Sequence, residues 1–215
     1  MIALGNGEKL DVLKDYHVHC NYNDHSARDL TVANVVSYAE KMGLRALAFT
    51  EHVRASSEWI PSYLRDVETI SARTDLDIVT GFEAKILKDG SIDCPTKYAS
   101  DYFVIASFHT IYGDKAIWMS ALEKAVQNDN VDAIGHIAPE ATFSLDLDEV
   151  ENLARLIASN GKKVEINAKY KRPPADWLSV FKEEGVGFHL GSDAHTLKEV
   201  GQFKAVEDLI RIANG

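Results

Sequence analysis

The sequence predicts an α/β barrel of about seven strand–helix units. Three observations carry this. Short apolar runs alternate with longer amphipathic ones along the whole chain. The short runs are almost continuously apolar, as expected of parallel strands buried on both faces. Seven of the eight histidines, with two acids, fall where such a run gives way to a loop. Residues at strand C-termini form the working face of a βα barrel, so fold and site point to the same end of the molecule.

The elements follow in order. KDYHVH ends a first strand. A helix is predicted from about Thr31 to Lys41, with Thr31 as N-cap and Gly43 as stop. LRALAFTEH reads as a strand, and SEWIPSYLRDVETISART as a helix with Pro61 near its start. LDIVTGFEAKIL reads as a strand running into the turn KDGS. DYFVIASFH and VDAIGH read as strands, separated by the helix KAIWMSALEKAVQ. LDLDEVENLARLIASN is a helix stopped by Gly161, and KKVEIN the next strand. PADWLSVFKEEG is a helix opened by Pro173 and Pro174 and closed by Gly185. VGFHLGSD is the last strand and VGQFKAVEDLIRIA the last helix. No linker, low-complexity segment or further repeat interrupts this pattern, so residues 1–215 are expected to form one domain.

Bulk properties narrow the function. The net charge of −10 gives no global basic field for a long nucleic acid. No run of about 18 apolar residues is present, so no membrane-spanning helix is expected. The stretch MIALGNGEKLDVLKDYHVH lacks an apolar core of signal-peptide type. Cys20 and Cys94 show no CxxC spacing, which fits a reduced compartment and a cytoplasmic address.

The chemistry lies at the strand ends. His17 and His19 are two apart on a strand and therefore share a face, so both rings can reach one ion. Asp193 and His195 repeat that spacing in GSDAH, where a helix-capping role for Ser192 or Asp193 is the competing reading. His52, His109 and His136 each end an apolar strand. Any one could be a hydrogen-bonded core residue, but coincidence explains three poorly. Glu83 closes VTGFE, where an unpaired carboxylate is costly to bury and a cation would neutralise it. His25 lies in a polar loop. His189 lies within the last strand, either behind the ligands or facing substrate, or else simply packed in the strand. Imidazoles with carboxylates suit zinc, iron and manganese. These nine residues, His189 aside, are enough for two or three divalent ions.

DYHVH, His25, AFTEH, GFEAKIL, IASFH, IGH, EIN and GSDAH, in this order, resemble the PHP superfamily, named for polymerase and histidinol phosphatase domains. The resemblance spans about Lys14 to His195 and looks most like the stand-alone, histidinol-phosphatase-like members. It implies a distorted (β/α)7 TIM-like barrel, up to three metals and phosphate ester hydrolysis. It also implies the ion sites: His17, His19, Glu83 and Asp193 for one ion; Glu83 bridging to a second with His109 and His136; His25, His52 and His195 for the third. Many members carry a Ser-Asp-Gly loop after the first histidines, where this chain reads NYNDHSARD.

The expected reaction is hydrolysis of a small phosphomonoester, histidinol phosphate or similar, by a water bridging two ions. Glu83, Asp193 and His195 are the residues expected nearest that chemistry. Cys20 reads as packed rather than catalytic. Arg54, Lys169 and Arg172 are the expected phosphate-binding residues, with Lys85 and Lys171 as lesser candidates; each competes with a solvated loop charge. Arginine suits a bidentate phosphate contact. Three alternatives stand beside this: a phosphodiesterase, nuclease or nucleotide phosphatase on the same site; an amidohydrolase, many of which bridge two metals through a carboxylated lysine where this chain offers Glu83; and a metal-binding domain without turnover.

Overall fold

The computed structural model describes residues 9–138 and 141–215. The first eight residues, part of the stretch read above for a leader segment, lie outside the described residues. Seven parallel strands line up in chain order: β1 (Lys14–Val18), β2 (Ala46–Val53), β3 (Asp77–Lys85), β4 (Phe103–Ser107), β5 (Ala133–Ile134), β6 (Lys163–Asn167) and β7 (Gly187–Gly191). Helices return the chain between them: α1 (Val32–Met42), α2 (Ile60–Ser71), the short α3 (Thr96–Ala99), α4 (Lys115–Val126), α5 (Leu147–Ser159), α6 (Ala175–Glu183) and α7 (Glu207–Asn214). The order implies the expected (β/α)7 barrel.

The barrel is nearly closed. The Asp193 amide donates to the His17 carbonyl at 2.8 Å, and the His19 amide to that of Ala194 at 3.1 Å. Asp15, fully buried, reinforces the seam. Its Oδ1 accepts from the Ser192 amide at 3.0 Å and its Oδ2 from the Gly201 amide at 2.8 Å. Both contacts join the first strand to the chain after the last one.

Local chemistry sets the helix ends. Thr31 caps α1 by accepting from the Asn34 amide, and Gly43 ends it at φ 75°. Asp146 and Glu149 form a reciprocal capping box at α5. The helix predicted over VGQFKAVEDLIRIA starts late. Gly201 at φ 70° turns the chain, a 3-10 turn covers Lys204–Val206, and α7 begins at Glu207. Strand β5 is shorter than VDAIGH suggested, although the Asp132 and Gly135 amides still donate to the Val104 and Ala106 carbonyls of β4.

The main core lies between the sheet and the surrounding helices. Trp118 is its largest fully buried side chain, stacked on Phe108 at 5.4 Å and edge-on to Phe143 at 5.6 Å. Trp118→Ala is expected to lower the unfolding free energy by about 4 kcal/mol, read from the urea midpoint at unchanged slope.

Candidate metal centre

Glu83, at the C-terminal end of β3, is 1% exposed and sits at the centre of five histidines. His109 Nε2 and His136 Nε2 approach its Oε1 at 3.0 and 3.1 Å. His52 Nδ1 lies 2.7 Å from its Oε2, and His17 Nε2 and His19 Nε2 lie 3.6 Å from the same oxygen. None of these is aligned as a hydrogen bond to Oε2, which is buried without such a partner among the described residues. Asp193 Oδ1 stands 3.3 Å from His19 Nε2. Asp193 reaches this point from a left-handed backbone, φ 54°, a conformation that Asp tolerates better than most residues.

The donor set fits divalent cations. His17 Nε2 faces His19 Nε2 at 3.1 Å, and His52 Nε2 faces His195 Nε2 at 3.3 Å. Ring nitrogens so opposed have lone pairs converging on common points. Among the described residues, three groups place ligand atoms within 4.8 Å of one another: His17, His19 and Glu83; His52, Glu83 and His109; His19, His52 and His195. His52 is therefore shared between Glu83 and His195 rather than confined to the third set.

The electrostatics agree. Burial opposes ionisation of Glu83, but His109, His17 and His52 outweigh it and hold its carboxyl well below the usual range. Burial likewise opposes a charged His17, but Glu165, Glu83 and Asp193 hold its pKa well above the ordinary value. Burial, helped by the neighbouring His19, pulls His52 down to about 4. So many rings around one carboxylate cannot all be cationic. Divalent ions bound by neutral imidazoles would resolve that conflict.

His195 shows how a tautomer is chosen. Its Nδ1 lies 2.9 Å from the Asp193 carbonyl and 2.9 Å from Lys169 Nζ. The nitrogen can donate to the first or accept from the second, not both. Donation to the carbonyl leaves the Nε2 lone pair facing His52, the state that binds metal.

Two buried carboxylates with no role in the sequence reading stand behind the ligands. Glu51 accepts from the Cys20, Tyr22 and His52 amides, the Cys20 thiol and Asn23 Nδ2, and comes within 3.4 Å of His19 Nδ1. It ties the loop after β1 to β2. Cys20 is thus a packed thiol, its pKa pushed up by burial and by Glu51. Glu165 accepts from His17 Nδ1 and from the His136 amide, each at 2.7 Å. Asn167 Nδ2 donates to Asp193 Oδ2 at 3.3 Å. The signal for both glutamates was present: an acid inside an otherwise apolar strand.

Other expected residues sit differently. The His25 side chain is 59% exposed, with Nδ1 2.8 Å from Asp24. Its ring centroid is 5.2 Å from that of His52 and 6.1 Å from that of His195, so it stands at the rim of the third set. His189 is a packed strand residue, edge-on to Tyr16 and Phe103, and burial pulls its pKa down to about 4. A cavity of about 1120 Å³ opens over the cluster. Arg54, Lys85 and Lys169 line it, together with Tyr22, Trp59 and Tyr170. Arg172 is not on its wall: its backbone pairs with Asn167, and its Nε is buried without a hydrogen-bond partner among the described residues. Lys171 is likewise absent from the wall.

Comparison with known proteins decides the family. The PHP domain model matches residues 15–190. The chain belongs to the PHP domain family. This PHP protein is 30% identical over 209 residues to a probable phosphatase of Aliivibrio fischeri (strain MJ11), covering 91% of this chain and 83% of the relative. It is 28% identical over 212 residues to a probable phosphatase of Acetivibrio thermocellus, covering 91% and 85%. Its fold matches the crystal structure of a candidate histidinol phosphatase from Listeria monocytogenes. That match has a TM-score of 0.72 at 16% identity and covers 90% of this chain and 99% of that one. By this kinship the PHP protein is a metal-dependent hydrolase of the phosphatase type. No helix among its described residues is long and apolar enough to cross a membrane.

Proposed function

We propose that this chain is a single PHP domain that hydrolyses a small phosphomonoester at two or three divalent ions, zinc, iron or manganese. The observation that carries this is Glu83, buried among five histidines at the floor of the cavity. His17, His19, His52, His109, His136, Asp193 and His195 would hold the ions with Glu83, and His25 would complete the set from the rim. Bound there, the ions would supply the Lewis acidity that activates water near neutral pH and neutralises the phosphoryl oxygens.

The chain's own residues do the rest. Lys169 Nζ, 3.3 Å from Asp193 Oδ1, is placed to hold a phosphoryl oxygen. The register of β2 and β3 pairs His52 with Glu83 and Val53 with Ala84, and the next residues along, Arg54 and Lys85, both line the cavity. They present two further cations to the substrate. The Asp193 carboxylate would accept a proton released by attacking water, and His195, its Nδ1 held by the Asp193 carbonyl, would help to orient that water. Lys169→Ala is expected to lower kcat/KM by about 10- to 100-fold with metal content unchanged, because it removes one charged phosphate contact.

The candidate identity of the Listeria neighbour makes histidinol phosphate a first substrate to try. The net charge of −10 argues against long nucleic acids. Two free, buried thiols, Cys20 and Cys94, fit a cytoplasmic setting. The test is phosphate release from a panel of monoesters and diesters by metal-loaded protein. Turnover confined to monoesters supports this reading. Turnover confined to diesters or amides overturns it.

A further inference from the structure

We infer that Glu165 is a positioning residue that fixes which nitrogen of His17 faces the metals and locks His136 in register with it. This rests on the metal reading above and adds a residue that none of the ligand sets contains.

Glu165 lies on β6, fully buried. A buried carboxylate is costly unless its oxygens are satisfied. Here each oxygen has one strong donor. Oε1 takes the His17 Nδ1 proton at 2.7 Å, and Oε2 takes the His136 amide at 2.7 Å. With Nδ1 protonated and held, the Nε2 lone pair of His17 is left to face His19 Nε2 and Glu83. The other oxygen fixes the backbone from which the His136 ring reaches Glu83 Oε1. One carboxylate thereby braces two ligands that approach different oxygens of Glu83.

The barrel reserves room for this group. A Cβ on Gly191 would lie 1.9 Å from Glu165 Oε1 and 2.6 Å from His17 Cβ. A Cβ on Gly135 would lie 2.2 Å from Ser107 Oγ and 3.2 Å from Glu165 Oε2. Neither glycine has a positive φ, so their backbones do not demand glycine. What they provide is space around the carboxylate and its two partners.

The test compares wild type and Glu165→Gln. The amide oxygen of Gln can accept from one of the two donors, while its NH2 confronts the other. Zinc affinity, measured by chelator competition, is expected to fall about 10- to 100-fold. The thermal midpoint of the zinc-free protein should stay near that of wild-type zinc-free protein, which separates positioning from a general loss of structure. A variant as tight as wild type overturns the inference and leaves the metal reading intact. Wild type that holds none of zinc, iron and manganese after reloading overturns that reading, and this one with it. Should the variant not fold, nitrogen-15 spectra of zinc-loaded wild type decide alone. His17 protonated on Nδ1 supports the inference, and His17 protonated on Nε2 overturns it.

Discussion

Glu83→Gln is expected to lower kcat by on the order of 10³-fold or more and to strip bound metal from the protein. Among the described residues no other carboxylate approaches so many of the expected ligands. His52, His109 and His136 lie within 3.1 Å of its two oxygens, with His17 and His19 at 3.6 Å. The substitution conserves shape but removes the negative charge that would hold neighbouring ions together. It also places an amide NH2 against ring nitrogens that present lone pairs when metal is bound. Its cost should therefore exceed that of Lys169→Ala, which sits at the cavity wall rather than under the ions. Metal analysis and phosphate release on the same sample check it. Near-wild-type turnover in Glu83→Gln would show that the ions are not organised around this residue.

Removal of metal is expected to lower the thermal midpoint by about 10 °C. An ion held at about a thousand times its Kd contributes roughly 4 kcal/mol to stability. For a chain of this size each kcal/mol moves the midpoint by about 2–4 °C. The structural reason is the packing of His17, His19, His52, His109, His136 and His195 around Glu83 and Asp193. His19 and His52 stack at 4.1 Å between ring centroids, and His19 and His195 approach at 4.3 Å. Without ions, each proton added to one ring repels the next. Differential scanning calorimetry with and without chelator measures the effect. An unchanged midpoint would mean that the described geometry stands without cations.

The strands and the candidate ligands were legible for a common reason. A buried parallel strand must be apolar until its C-terminal end, so a histidine or acid there stands out against its own strand. The same logic explains what was missed. Glu165 and Glu51 interrupt apolar strands as Glu83 does, but their partners come from other strands: His17 for one, the loop of Cys20 to Asn23 for the other. Sequence spacing carries no trace of such contacts. Arg172 follows β6 as Lys169 does, yet backbone pairing with Asn167 turns it off the cavity wall. The late start of α7 has a local cause: Gly201 in a left-handed turn interrupts a segment whose amphipathic pattern runs on through it.

The most direct test of the metal-phosphatase account is a paired measurement on one preparation: metal content per chain, and phosphate release from a panel of phosphomonoesters that includes histidinol phosphate. Two or three ions per chain, with turnover abolished by His17→Ala and by Asp193→Ala, is the predicted result. A protein that binds no transition metal after reloading, or that binds it and releases phosphate from no monoester, would contradict the account.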